Sequence, residues 1–303
     1  MRVLFAGTPA SALPTMVALR QAGHQIVAVA TNPDAARGRS GRLQSSPVAA
    51  RALSDGLPLL QPQRASEPWF IDAVKALEPE VAVIVAWGSL IPESLLAVPK
   101  QGWVNLHFSL LPAWRGAAPV QRALMAGERT TGVTVFRLVR ELDAGPIFLQ
   151  KSVAISSEEN GGQLIDRLAQ VGAMTMVNAM TEVEAGRRPQ PQSDKGISQA
   201  PKLTVDELRI DWQNSAISIH NLVRAVAPTP GAWTVIADRR LKLLQTKVVS
   251  QPDLAPGQVL ATKHDLVVGT GDGTLSLVEI KAEGKSAMSA ADWARGARLG
   301  DVL

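Results

Sequence analysis

Asn105, His107 and Ser109 alternate with Leu106 and Phe108 at the end of an apolar run, in the segment NLHFSLLP over 105–112. If this backbone is extended from Trp103 to Ser109, Val104, Leu106 and Phe108 share one face and the three polar residues share the other. Polar groups buried there without partners would each cost about 1–3 kcal/mol, so the row requires partners or a ligand. Only four histidines occur in the chain. His24 follows a glycine at a helix end, His220 lies in a helical pattern and His264 in a polar turn, which leaves His107 as the one in a strand-end context. Asp143, in the Gly/Pro-bounded stretch RELDAGP, is the best acid to join it, although Asp is a common turn residue and Glu141 is close by. A carboxylate bonded to one imidazole nitrogen fixes the tautomer and favours imidazolium, leaving the other nitrogen for a reacting atom. A neighbouring Asn amide can donate to a developing oxyanion. That set suits acyl transfer. Without cysteine or a Gly-flanked nucleophilic Ser, it suits direct transfer better than a covalent intermediate.

Composition narrows the field further. The chain has 303 residues, 46% of them hydrophobic, which suits a soluble protein of two domains with separate cores. The absence of cysteine excludes disulfides, iron–sulfur clusters, thiol catalysts and thiolate zinc sites, no metal is expected, and a reducing cytoplasm is compatible. The start MRVLFAG has an apolar run of only four residues before Gly7 and Pro9, so it reads as strand and turn rather than signal peptide. No run approaches the roughly 20 apolar residues of a membrane span. A cytoplasmic protein follows, with monomer as the expected state. Net charge is +4, and residues 207–303 carry 11 Lys and Arg against 10 Asp and Glu, so a nucleic-acid surface there would rest on arrangement rather than excess charge. Arg37, Arg39 and Arg42 crowd a Gly/Ser-rich exposed loop, which by itself reads as solvated charge.

These groups need elements to hold them. RVLFAG, QIVAVAT, VAVIVAWG and WVNLHFS are continuously apolar runs separated by amphipathic stretches, as expected of parallel strands covered on both faces. An α/β doubly wound, mostly parallel sheet is predicted, with ligands at the carboxyl ends of its strands. TGVTVFRLV and GPIFLQKSVAI read as two further strands joined by RELDA. A helix is predicted from about 162 to 186, packing Leu164, Leu168, Val171 and Met174 or Thr175. The polar, Pro-rich stretch RRPQPQSDKGISQAP then reads as a linker, giving a catalytic domain over 1–189, a linker over 190–205 and a C-terminal domain over 206–303. Strand runs with Gly and Asp turns predict a small, OB-like β-barrel for the latter. GTGDG at 269–273 lies between two β-like runs and reads as a hairpin turn, not a phosphate loop.

NLHFSLLPAWRGAAPVQRAL with ELDAGP downstream resembles the folate-dependent formyltransferases, and the resemblance runs from FAGTP through TNPDAARGRSGRLQSSPV, RIDW and PTPGAWT to GDGTLSLVEI and GKSAMSA. It implies a catalytic set of Asn105, His107 and Asp143, and a reduced-folate site lined by Ser109, Leu110, Leu111 and Pro112. It implies 10-formyltetrahydrofolate as donor and the α-amino group of initiator methionyl-tRNA as acceptor. The basic loop, with Arg37, Arg39 and Arg42, would read the tRNA acceptor end, Arg39 above all, and the C-terminal β-barrel would bind tRNA. Phe108, Trp87, Ala144, Pro146, Pro228 and Thr229 depart from the commonest residues of this family without removing a catalytic one. Formyltransferases acting on sugar nucleotides share the Asn, His and Asp set, but the arginine loop and the match across the second domain favour tRNA. One acting on glycinamide ribonucleotide would lack roughly the last hundred residues. A non-enzymatic RNA-binding module would have no need of all three residues.

Overall fold

The computed structural model describes residues 1–36, 41, 43–236, 239–250 and 254–297. Seven strands form the first sheet: Arg2–Gly7 (β1), Gln25–Ala30 (β2), Leu59–Leu60 (β5), Val81–Val85 (β6), Trp103–His107 (β7), Thr130–Arg137 (β8) and Ile147–Ala154 (β9). A separate antiparallel pair, Ala35–Ala36 (β3) with Leu43–Gln44 (β4), lies outside it. The sheet order is β5-β2-β1-β6-β7-β8-β9. The first five in that order run parallel, and β8 and β9 are antiparallel additions. The order reverses between β1 and β6, which opens a crevice at the carboxyl ends of these strands. Gly7 closes β1 there, and a Cβ on it would stand 2.8 Å from the Val85 carbonyl oxygen and 2.9 Å from Ala12 Cβ.

The apolar strands are buried on both faces, as their sequences require. On one face Leu4, Ala6, Ala28, Ile84 and Trp103 pack with Phe70 and Val74 of α3 (Pro68–Leu77) and Leu95 of α4 (Glu93–Leu96). On the other, Leu106 lies so close to Gly172 of α6 (Gly161–Glu184) that a Cβ there would be 2.6 Å from its Cδ2. Along α6, Leu164, Leu168, Met176, Met180 and Val183 are buried; Thr175 turns inward and Met174 outward. Helices α1 (Leu13–Gln21) and α2 (Pro47–Ser54) belong to the same layers, and α2 starts at Ser46, whose hydroxyl accepts from the Ala49 N–H at 3.0 Å.

Two compact units divide the chain. The first comprises Met1–Pro119, Thr130–Ala154 and Ile165–Ala200, and the second Val120–Arg129, Ile155–Leu164 and Pro201–Leu303. Helix α5 (Pro119–Met125) starts at the end of one and continues in the other. The expected linker over 190–205 is corrected as far as Ala200. Gln190 bridges Ile147 and Gln199 bridges Arg115, so this stretch is bound into the first unit. Its Pro-rich, aperiodic sequence denies it a helix or long strand, but leaves its backbone groups free to pair with the loops it crosses.

In the second unit, Ala232–Ile236 (β10), Arg239–Val249 (β11), Val259–Ala261 (β12), Leu266–Thr270 (β13), Gly273–Ala282 (β14) and Met288–Ser289 (β15) form an antiparallel sheet. Its order is β10-β11-β14-β13-β12, with β15 on β14. Register shifts around Gln245 bend β11, and no pairing among the described residues joins β12 back to β10. Helices α7 (Ala216–Val226) and α8 (Ala290–Gly296) complete the unit. Thr270 pairs Gly273, so GTGDG is a hairpin turn. Among the described residues, no helix is long and apolar enough to cross a membrane.

Candidate active site

Strand β7 lies between β6 and β8, with Asn105 paired to Ile84 on one side and Phe136 on the other. Side-chain alternation puts Asn105 and His107 on one face of this strand, roughly 6.6 Å apart at a strand's rise. The alternation stops there. β7 ends at His107, and Ser109 lies in the turn that follows, so the expectation of three polar residues in one row is corrected to two. The chain turns because Thr134 of β8 captures it: the Thr134 hydroxyl donates to the Ser109 carbonyl at 2.6 Å and accepts from the Leu111 N–H at 3.1 Å. Gln150 of β9 donates to the Leu111 carbonyl at 2.8 Å and to the Thr134 hydroxyl at 2.9 Å.

His107 is 6% exposed and Asp143 7%. Their Nδ1 and Oδ2 atoms are 3.8 Å apart, an ion-pair separation longer than a hydrogen bond. His107 Nε2 is 2.8 Å from the Trp114 carbonyl oxygen. A carbonyl only accepts, so Nε2 carries a proton and Nδ1 is the nitrogen that titrates. Burial pushes the imidazole below its ordinary 6.5, against the Asp143 carboxylate and the Trp114 carbonyl, which pull it up. The expectation of a free second nitrogen is corrected accordingly: Nε2 is taken by the Trp114 carbonyl, and the nitrogen facing Asp143 is the one open to a proton. The ring also meets Phe136 edge-on, with centroids 6.5 Å apart.

Asp143 sits in the left-handed region at φ 48°, in the loop between β8 and β9. Its Oδ2 accepts from the Gly116 N–H at 2.8 Å. The loop approaches β8 so closely that a Cβ on Gly145 would stand 1.8 Å from the Arg137 carbonyl oxygen. Gln192 donates to the carbonyls of Asp143 at 2.7 Å and Gly145 at 2.8 Å. The Ser198 hydroxyl accepts from the Trp114 N–H at 2.9 Å, so the segment beyond α6 holds both loops of the site. Asn105 is half-buried, and its amide has no hydrogen-bond partner among the described residues.

The residues expected to line a folate site divide in two. Ser109 is fully buried and donates to the Ala113 carbonyl at 2.6 Å, so its hydroxyl shapes the turn and offers no surface to a ligand. Leu111 is buried as well, whereas Leu110 and Pro112 are half-buried. Leu110 rests on Gly132, where a Cβ would meet its Cδ2 at 2.6 Å. Arg37, Arg39 and Arg42 lie outside the described residues. Among the described residues, no group of three or more His, Asp or Glu side chains converges as a metal site would require. Sequence reasoning missed Trp114, Gly116, Thr134, Gln150, Gln192 and Ser198. Only the glycine carried a signal, since Gly116 takes φ 126° and a Cβ on it would stand 2.6 Å from the Ala200 carbonyl oxygen.

The site thus brings together an amide without a partner among the described residues, a buried imidazole and a buried carboxylate at the carboxyl end of a mostly parallel sheet. The family described as "Formyl transferase" matches residues 1–180, and "Formyl transferase, C-terminal domain" matches 202–298. The methionyl-tRNA formyltransferase of Thermobifida fusca is 47% identical over 99% of this chain and 98% of its own. That of Salinispora tropica is 46% identical over the full length of both. Among solved structures, HypX from Aquifex aeolicus in complex with tetrahydrofolic acid superposes with a TM-score of 0.69 at 18% identity, over 97% of this chain and 46% of that longer one, a likeness of fold.

Proposed function

The chain belongs to the formyl transferase family, and from its full-length similarity to methionyl-tRNA formyltransferases we propose that it moves a formyl group from 10-formyltetrahydrofolate to the α-amino group of methionyl-tRNA. The product would be formylmethionyl initiator tRNA for translation initiation, made in the cytoplasm. The observation that carries the chemistry is the convergence of His107 and Asp143, 3.8 Å apart and both buried, beside an Asn105 amide with no partner among the described residues.

An aminoacyl-ester amine has a pKa below the roughly 7.7–8.0 of a free α-amino group, so a neutral fraction exists near pH 7 and attacks the formyl carbon directly. Negative charge grows on the formyl oxygen, where the Asn105 amide donates to it. His107 Nδ1 takes the proton the amine sheds, and Asp143 stabilises the imidazolium so formed. The same proton returns to the folate nitrogen as its bond to the formyl carbon breaks, which leaves tetrahydrofolate and a formylated amine. Burial suits this cycle, because a neutral resting imidazole is ready to accept.

Of the four residues expected to line the folate site, Leu110 and Pro112 are the two with surface for a folate ring system to lie against. The apolar character of that wall fits a flat heteroaromatic ring, with the backbone of the turn already fixed by Thr134 and Gln150. For the acceptor, Arg37, Arg39 and Arg42 supply the charge a tRNA backbone would meet, a reading that rests on their sequence. The test is an acceptor panel: the protein with 10-formyltetrahydrofolate and, separately, charged initiator tRNA, charged elongator methionine tRNA and an amino-sugar nucleotide. Formylation of the initiator tRNA well above the others is the expected result. Preference for the amino sugar would replace this reading with that of a sugar N-formyltransferase.

A further inference from the structure

We propose that Gln192 is a positioning residue for the reaction: it clamps the loop carrying Asp143 through two hydrogen bonds and is itself aimed by Arg115. The proposal rests on the assignment of Asp143 to the chemistry. Both amide protons of Gln192 are used, one on the Asp143 carbonyl at 2.7 Å and one on the Gly145 carbonyl at 2.8 Å. Its oxygen accepts from Arg115 Nη2 at 2.6 Å and Nε at 3.2 Å. The whole capacity of the amide is therefore spent, and its orientation is fixed, since rotation by half a turn would set oxygen against two carbonyls and nitrogen against a guanidinium.

The loop needs such a clamp. Asp143 holds a left-handed backbone at φ 48°, which an L-residue with a Cβ adopts only when its surroundings impose it. Among the described residues, its carboxylate meets only the Gly116 N–H and, at 3.8 Å, the His107 ring. Arg115 precedes Gly116 in the chain, so one residue pair ties both sides of the carboxylate: Gln192 holds the loop that carries it, and Arg115 leads into the N–H that orients it. Arg115 is in turn anchored by its backbone, donating to the Ser198 carbonyl at 2.9 Å and accepting from the Ala200 N–H at 2.7 Å. The strap from Gln192 to Ala200 is thereby part of the catalytic scaffold.

Two near-isosteric variants test this in the full chain. Gln192→Met keeps length and loses every polar contact. Gln192→Glu keeps its pairing with Arg115 and turns an oxygen toward the two carbonyls. Formyl transfer is measured at saturating donor and acceptor and as a function of each, and exchange of the Gly116 amide is followed by NMR. Both variants should lose at least tenfold in kcat with KM for either substrate within threefold, while Gly116 exchanges at least tenfold faster and the amides of Val104 to Leu106 keep their protection. A kcat within twofold of wild type in either variant, or unchanged Gly116 exchange, overturns the proposal. If wild-type protein transfers no formyl group, the proposed function fails, and the Gly116 exchange still decides whether Gln192 holds the loop.

Discussion

His107 and Trp114 are joined by a 2.8 Å contact between Nε2 and the backbone carbonyl, and this bond decides the proton chemistry of the site. Because the carbonyl cannot donate, the ring's variable proton belongs to Nδ1, which faces Asp143. Trp114 is held at φ 62° by its own neighbours, its N–H on Ser198, so the carbonyl's aim is built into the fold.

Asn105 is the member of the site that folding does not use. Its amide has no partner to lose among the described residues, so Asn105→Ala should leave the thermal midpoint within a few degrees of wild type. If the amide donates to the developing oxyanion, turnover should fall by about 10²–10³. Steady-state kinetics alongside thermal unfolding check both halves. An active variant, or one inactive only because it unfolds, would remove Asn105 from the role.

Acid should weaken the fold through its histidines. Burial is the leading cause that lowers His107, His24 and His220 below their ordinary 6.5. The unfolded chain then binds protons that the folded one refuses, so this contribution to stability is complete above about pH 6.5 and is lost as pH falls toward the depressed folded values. Thermal unfolding between pH 7.5 and 5.5 should show a falling midpoint. A midpoint that rises on acidification would mean these rings are charged in the folded protein.

Gly145 marks the closest approach of the Asp143 loop to β8. A Cβ at 1.8 Å from the Arg137 carbonyl cannot be accommodated without moving the loop. Gly145→Ala should cost about 1–3 kcal/mol of stability, as overpacking does, and lower kcat by displacing the carboxylate. Denaturant titration and kinetics measure the two effects, and retention of both would show that the loop yields freely.

Arg39 is expected to act on the acceptor alone. Arg39→Ala should raise KM for tRNA severalfold, leave KM for the folate unchanged, and flatten the dependence of kcat/KM on salt, as removal of a phosphate contact does. Equal salt slopes for variant and wild type would return the arginine loop to solvated charge.

The three residues proposed for the chemistry could be picked out by their setting: one of only four histidines, an Asn two positions before it and an Asp in a Gly-bounded loop stand out from apolar strands. It did not carry their supports. Gln192 lies 49 residues from Asp143, in a stretch whose Pro-rich, aperiodic pattern is that of a linker, and only tertiary contact shows that its amide is engaged. Thr134 and Gln150 look like ordinary strand residues until the turn after β7 is seen resting on them. Ser109 misled for the same reason, since strand alternation holds only while the strand lasts and Thr134 ends it after His107.

The central claim is that Asp143 serves the chemical step of formyl transfer. Its most direct test is single-turnover transfer of labelled formyl from 10-formyltetrahydrofolate to charged initiator tRNA by wild type and Asp143→Asn. The isosteric amide keeps an oxygen to accept the Gly116 N–H and removes the charge that stabilises His107 when protonated. A rate at least 10²-fold lower with tRNA affinity unchanged is the predicted result, within the range for a positioned acid–base partner. A rate near wild type, or a loss that lies wholly in tRNA binding, would contradict the account.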